Sequence, residues 1–340
     1  MRYSEEISVT EKYKEEYRNG LSALIKLREK EAEKTRDAYF SDIFSNRDKY
    51  VKDLINMLGW PLTDMKKEVP PKVYACEKLS DEDGYTIFRM TFEIFSCLKL
   101  TGLFFKSGEE KLPLVLVQHG ALGSPELISD VYGHTDNYND MLQRVRQAGA
   151  HVFAPQLLIW SADHKVPFDR TRIDSQLRRV GSSITAVEIY GMMRILDYFE
   201  TQDYVSSFGM VGLSYGGFYS LFTTAIDTRI KAAIPSAYFN TRDSDAFMSL
   251  PDWSWFGAAE KFDDAEIACL SYPRKLYIEV GNNDNLFRID LGRKAFEKIK
   301  RICSDVGTDW VKFIEFDGEH EFDPSDEPIK QLIEDLKNPE

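Results

Sequence analysis

Phe208-Gly209-Met210-Val211-Gly212-Leu213-Ser214-Tyr215-Gly216-Gly217 is an apolar run that breaks into a glycine-flanked serine and then enters a helical pattern over 215–226. A strand, a tight turn and a helix in this order make the context in which a G-x-S-x-G string becomes a nucleophile elbow. The turn is sharp, so small residues must stand two positions to either side of the serine. The hydroxyl is left exposed above the sheet, at a helix N-terminus that favours negative charge. Outside that context the string occurs by chance, and an ordinary glycine-rich strand-to-helix turn is the plainer alternative.

Outward from this stretch the same alternation recurs. Short apolar runs at Pro113–Gln118, His151–Ala154, Lys231–Ile234, Leu276–Val280 and Val311–Phe316 are interleaved with helical patterns near 137–148, 182–200, 290–303 and 326–337. Continuous apolar strands alternating with helices predict a parallel sheet covered on both faces. Upstream, Lys72–Cys76, Tyr85–Phe92 and Leu98–Phe105 are β-rich, with a turn signal at Asp81-Glu82-Asp83-Gly84, and predict an antiparallel start to the sheet. Residues 157–180 and 239–270 lack strand pattern and are expected as cap-like insertions at the C-terminal edge of the sheet.

Residues 9–58 carry helical spacing, with breaks expected at Asn19-Gly20 and Ser45-Asn46 and a firm end at Gly59-Trp60-Pro61. The expected division is therefore a helical N-terminal arm over 1–61 and one α/β domain over 62–340. The arm either packs on the body or contacts another subunit, which would make a homo-oligomer through the N-terminal helices.

Composition excludes several classes. The 340 residues are 43 % hydrophobic and 29 % charged, the balance of a folded globular chain. A net charge of −13 argues against nucleic acid as a partner. The imbalance lies in the body, because residues 1–60 hold 12 basic and 12 acidic side chains. The N-terminus has no apolar h-region and no run approaches a membrane span, so a cytoplasmic protein with no membrane partner is expected. Cys76, Cys97, Cys269 and Cys303 show no metal-ligand spacing and read as reduced, mostly buried thiols.

A serine nucleophile needs a base; the Gly-Leu-Ser-Tyr-Gly-Gly elbow resembles that of the α/β-hydrolases, and the resemblance implies that the acid and then the histidine follow the serine in the chain. Of His119, His134, His151, His164 and His320, only His320 lies beyond Ser214. It sits in Phe316-Asp317-Gly318-Glu319-His320-Glu321-Phe322, just past the last expected strand. Asp284, in Asn282-Asn283-Asp284-Asn285 after the 276–280 strand, is the candidate to fix its tautomer. Asp290 and Glu319 are the rivals. Backbone N–H donors for an oxyanion are expected from Tyr215 and from Ala121 in the turn His119-Gly120-Ala121-Leu122, with Leu122 as the second choice. His119 reads first as a residue holding that turn, and second as a group facing substrate.

Substrate-contacting candidates are Trp253, Trp255 and Phe256, which either stack on a ligand or form the small core of a lid. Gln156–Trp160 and His164–Phe168 offer similar material, and Arg170, Arg172, Arg178 and Arg179 either meet an acidic substrate or form a salt-bridged face. No Walker loop, dinucleotide fingerprint, HExxH or EF-hand string appears, so no cofactor and no catalytic metal are expected.

The Ser–Asp–His order, the His119-Gly120 turn and the Gly-Leu-Ser-Tyr-Gly-Gly elbow resemble the α/β-hydrolase superfamily over about residues 72–337. Met57–Leu62, Tyr272–Leu276 and Gly318–Phe322 are similar to the dienelactone-hydrolase-like and acetyl-xylan-esterase-like group. That resemblance implies an α/β-hydrolase fold with Ser214 as nucleophile, Asp284 as acid and His320 as base of a serine esterase. Its substrate would be a short-acyl ester, on a carbohydrate or another small molecule. Dienelactone hydrolases proper use a cysteine nucleophile, from which Ser214 departs. Tyr215 after the serine is similar to prolyl-oligopeptidase-like peptidases, and a small peptidase or amidase is the alternative. A non-catalytic ligand-binding protein on the same scaffold is the third reading.

Overall fold

The computed structural model describes residues 2–65, 69–159, 168–242 and 251–338. Nine strands form one sheet: β1 (Lys72–Glu82), β2 (Tyr85–Phe95), β3 (Leu98–Lys106), β4 (Leu112–Gln118), β5 (His151–Pro155), β6 (Val205–Leu213), β7 (Ile230–Ser236), β8 (Lys275–Gly281) and β9 (Val311–Phe316). Their spatial order is β1-β2-β3-β5-β4-β6-β7-β8-β9. The first three strands are antiparallel hairpin partners, β3 runs antiparallel to β5, and every pair beyond β5 is parallel. This is the mixed sheet expected from the change in pattern between residues 72–106 and the rest. The β2 strand alternates in burial, as a half-covered ribbon does, whereas β5 is buried throughout and β4 is buried from Pro113 on.

Helices cover both faces. On one lie α2 (Arg47–Leu58), α5 (Ile184–Phe199), α6 (Tyr215–Ile226), α7 (Asp264–Cys269) and α8 (Ile289–Ile302), whose apolar residues join a single large core with Leu114, Leu116, Met210 and Ile278. On the other lie α3 (Met141–Gln147) and α9 (Glu327–Lys337), which pack Leu142, Val145, Leu332 and Leu336 against Val115, Val117 and Val211. A further helix, α4 (Arg170–Arg178), starts on the Asp169 side chain, which accepts from Arg172 N–H. No helix among the described residues is long and apolar enough to cross a membrane.

The arm departs from expectation at one point. Helix α1 (Ile7–Tyr39) runs unbroken through Asn19-Gly20. An interior glycine costs a helix about 1 kcal/mol relative to alanine, which weakens it without ending it. The second break, at Ser45-Asn46, is present, and α2 closes on Gly59 at φ 97°. Helix α2 is part of the body's core: Tyr50, Leu54 and Leu58 are buried, Arg47 donates to Leu270 O (2.6 Å) and Ala225 O (3.0 Å), and Ser183 Oγ donates to Leu58 O (2.7 Å).

The cysteines also differ from expectation. Cys269 and Cys303 are buried with sulfurs 3.9 Å apart, but Cys76 and Cys97 are exposed. Both exposed thiols belong to the β1–β3 ribbon at the sheet edge, where β1 is largely uncovered.

Because Leu54 is fully buried where α2 joins the core, Leu54→Ala is expected to lower the unfolding free energy by about 2–5 kcal/mol. Urea unfolding of the purified variant checks this, with the same slope and an earlier midpoint as the expected outcome.

Candidate active site

Ser214 stands between β6 and α6 with φ 60° and ψ −116°, a backbone conformation rarely adopted by a residue with a side chain. Two close approaches impose it. A Cβ on Gly212 would lie 2.4 Å from Gly216 C and O, and one on Gly216 would lie 2.1 Å from Gln118 O on β4. The chain can therefore turn this sharply only with glycine at both positions. Ser214 N–H donates to Ser236 O on β7 (2.9 Å), and Phe218 N–H donates to Ser214 O (2.9 Å), so the elbow is tied to the sheet and to the first turn of α6. The serine keeps 9 % of its surface exposed, whereas every residue of α6 is buried.

Asp284 and His320 meet as expected from their loops. Asp284 lies beyond β8, and its Oδ2 is 2.8 Å from His320 Nδ1. Its Oδ1 accepts from Leu286 N–H (2.7 Å) and Phe287 N–H (2.9 Å), so the carboxylate is fixed by its own loop before the imidazole arrives. With Asp284 on Nδ1, the free nitrogen of His320 is Nε2. The rivals are placed elsewhere: Asp290 pairs with Arg288 at the exposed start of α8, and Glu319 is exposed beside His320. Among the described residues no hydrogen bond joins Ser214 Oγ to His320 Nε2. Such bonds are often loose without substrate and tighten in the complex.

The turn after β4 abuts the elbow. A Cβ on Gly120 would lie 2.7 Å from Leu213 O and 3.0 Å from Ser214 Cβ. Gly120 N–H donates to Tyr138 Oη (2.8 Å), a buried hydroxyl whose pKa burial pushes up, so it stays protonated. Ala121 follows, half-buried, and Leu122 adopts φ 62° with its side chain exposed.

Of the residues singled out beside Ser214, Asp284 and His320, His119 is fully buried. Leu157 N–H points at its Nε2 (3.4 Å) and its Nδ1 lies 2.9 Å from Gly120 O, which assigns the proton to Nδ1. Burial pushes its pKa down to about 4, so it is neutral and holds the turn. Trp253 and Trp255 lie in the core: Trp253 packs on Tyr215 at 4.4 Å between ring centres, and Trp255 on Phe222 at 5.6 Å. The small lid core, rather than an open stacking face, is the arrangement found for the two tryptophans. Phe256 points into solvent. Trp160 and residues 164–167 lie outside the described residues.

Two features of the site carried no sequence signal. Phe287 stacks on His320 at 5.6 Å and 22° between planes, walling the imidazole in from the loop that bears Asp284. Beneath the elbow, Arg170 is fully buried and fully used. It donates to both oxygens of Glu188 (2.9 and 3.1 Å), to Asp252 Oδ2 (2.8 Å), to Leu158 O (2.6 Å) and to Tyr219 Oη (2.8 Å). Tyr215, the residue after the serine, points its hydroxyl at Asp252 (3.1 Å), so this buried network also holds the start of α6. Of the arginine cluster, Arg170 is thus internal, and Arg178 pairs with Asp174.

Asp130, His134 and Asp140 are the group of metal-capable side chains that come together among the described residues, and all three are exposed. His134 Nδ1 is 2.8 Å from Asp130 and its Nε2 is 3.3 Å from Asp136, and these carboxylates raise its pKa.

The sequence profile described as the dienelactone hydrolase family matches residues 126–301, just over half of the chain. This span includes Ser214 and Asp284 and stops short of His320. No curated protein sequence matches. Among solved structures, glucuronoyl esterase from Solibacter usitatus superposes with a TM-score of 0.63 at 14 % identity, over 87 % of this chain and 92 % of that one. Acetyl xylan esterase 1 from Thermoanaerobacterium sp. gives 0.54 at 14 % identity, over 85 % and 94 %. A cold-adapted esterase from an Arctic intertidal metagenomic library gives 0.51 at 17 % identity, over 76 % and 96 %. At these identities the likeness is one of fold.

Tyr138→Phe removes the partner of Gly120 N–H. It is expected to cost about 1–3 kcal/mol of stability, the penalty of an unpaired buried donor, and to lower turnover by slackening the turn that carries Ala121. Urea unfolding and steady-state rates on an aryl acetate check both. His119 gives a pH signature. Its folded pKa of about 4 lies below the unfolded value, so below about pH 6.5 the unfolded chain binds a proton that the folded one refuses. Stability therefore falls as pH drops from about 6.5 towards 4 and recovers as pH rises. His119→Asn, which keeps a donor near the Nδ1 position, is expected to lose about 2–3 kcal/mol less than wild type between pH 7.5 and 4.5.

Proposed function

The chain belongs to the dienelactone hydrolase family and is a carboxylic ester hydrolase, and we propose that it works through Ser214, His320 and Asp284 on a short-acyl ester. The observation that carries this reading is the 2.8 Å contact between His320 Nδ1 and Asp284 Oδ2. It joins two loops beyond β8 and β9, on the same strand ends that present Ser214 beyond β6.

In this mechanism His320 Nε2 takes the proton of Ser214 Oγ as the oxygen attacks the ester carbonyl. Asp284 stabilises the imidazolium that results, and it does not itself take the proton. The negative charge on the tetrahedral oxygen is met by Tyr215 N–H at the start of α6 and by Ala121 N–H in the turn held by Tyr138. The C–O bond to the alcohol then breaks, and the alcohol leaves with the proton from His320. Water, deprotonated by the same nitrogen, attacks the acyl-serine, and the acid is released with Ser214 restored.

For the substrate we propose acetate, or an acyl group of similar size, esterified to a carbohydrate. Support comes from the fold shared with an acetyl xylan esterase and a glucuronoyl esterase. Two exposed leucines, Leu122 on the turn after β4 and Leu286 two residues beyond Asp284, offer apolar surface on loops that bear site residues. The burial of Trp253 and Trp255 removes them as stacking surfaces for a sugar, so recognition of the alcohol falls to the loops.

The test is acetate release from acetylated xylo-oligosaccharides and from an aryl acetate, with wild type beside Ser214→Ala. Loss of the nucleophile should lower kcat/KM by about 10⁴-fold or more. Activity within tenfold of wild type would sink the triad. Release from the aryl ester but not from the sugar would remove the carbohydrate and keep the triad. Cleavage of aminoacyl anilides in preference to either ester would move the reading to an amidase.

A further inference from the structure

Helix α1 is amphipathic the wrong way round for a monomer. At about 100° per residue, Ile7, Tyr13, Tyr17, Leu21, Leu24, Ile25 and Leu27 fall within one face roughly 160° wide, and every one of them is exposed. The groove between arm and body is lined by the other face, through Lys26, Glu29, Lys30, Glu33 and Arg36. The only buried residues of α1 are Ala32 and Arg36 near its C-terminal end, where Arg36 pairs with Asp263 and Glu266. The arm is thus moored by its last turns and its ion pairs, while its apolar face points away from the body.

Such a face is costly to leave in water. Helices in proteins draw most of their stability from packing an amphipathic face, and the first ion pair that ties α1 to the body among the described residues is Arg28 with Glu260 (2.7 Å). The apolar side chains on it expose on the order of 900 Å², above the roughly 300–600 Å² of the largest patch on an ordinary monomer and close to the roughly 800 Å² that each partner contributes to a standard interface. We propose that this face is a dimer interface, covered by α1 of a second copy of the chain across a two-fold axis.

Charge selects a second copy over other occupants. The chain as a whole carries −13, which would set two bodies against each other, yet residues 1–60 are balanced at 12 basic and 12 acidic side chains. Between Glu11 and Glu31 the helix carries six cations and five anions. Two arms therefore meet without the repulsion their bodies would impose. A membrane surface would ask for a strongly basic polar face, which this balance does not supply. A two-fold pairing places the same patch on both sides, so one apolar stripe suffices for both halves.

Sedimentation equilibrium of the full chain at 1–50 μM tests this. A dimer is expected for wild type, and a monomer with an unchanged thermal transition of the body for Tyr17→Glu and for Leu24→Glu. Lys30→Glu, on the opposite face, is expected to stay dimeric. A wild-type monomer throughout that range overturns the proposal. So does a dimer that survives both stripe variants, or one that Lys30→Glu disrupts as strongly. If either stripe variant loses the thermal transition of the body, Leu24→Ser is read in its place, with a dissociation constant weakened at least tenfold as the expected result.

Discussion

The elbow at Ser214 is possible because nothing larger than hydrogen stands at Gly212 and Gly216. Those two glycines let the chain leave β6 and start α6 within one residue, with the serine at φ 60°. A non-glycine residue held there costs on the order of 1–3 kcal/mol. The cost is met by what the turn connects: β6 at the centre of the sheet, paired with β4 and β7, and α6 buried along its whole length. The loops that bear Asp284 and His320 and the turn after β4 grow from strands of the same parallel sheet.

Around that point the protein handles buried charge in three different ways. Asp284 is surrounded by partners: two N–H groups of its own loop and the His320 ring. Arg170 is kept as a cation by two carboxylates, a carbonyl and a tyrosine hydroxyl. Glu279, on β8 and fully buried, has its pKa pushed up to about 8 by burial, so it is mostly protonated at neutral pH. The three solutions follow from what each site can supply. Where N–H donors or an opposite charge are at hand the ion survives, and where they are scarce the proton is retained.

How much of this was legible in the sequence depends on whether a residue's role leaves a local trace. Ser214 was legible because a tight turn demands small residues at fixed offsets. The sheet was legible because strands covered on both faces are apolar without alternation. Asp284 followed from a polar loop after a strand, and His320 from being the one histidine downstream of the serine. The fate of Trp253 and Trp255 was not legible, because their segment lacks a period that would say which side faces in. Arg170 was hidden for a related reason: an arginine among other arginines reads as surface, and its partners Glu188 and Asp252 lie 18 and 82 residues away. Gly20 misled because glycine punctuates chains in general, but a single one in a long exposed helix is tolerated. The two exposed cysteines depart from a rule of average burial that does not extend to a sheet edge.

The Arg170 assembly also has a consequence for how this sequence can drift. Arg170, Glu188 and Asp252 come from three separate segments, and each satisfies charge on another. Replacing any one alone strands an ion in the interior, at about 3–5 kcal/mol, whereas replacing the set with apolar side chains of equal volume can be nearly neutral. Stepwise descent from one arrangement to the other passes through intermediates less stable than either end. Lineages are therefore expected to keep the three positions together or to have exchanged them together, and a homologue missing one should be found missing its companions.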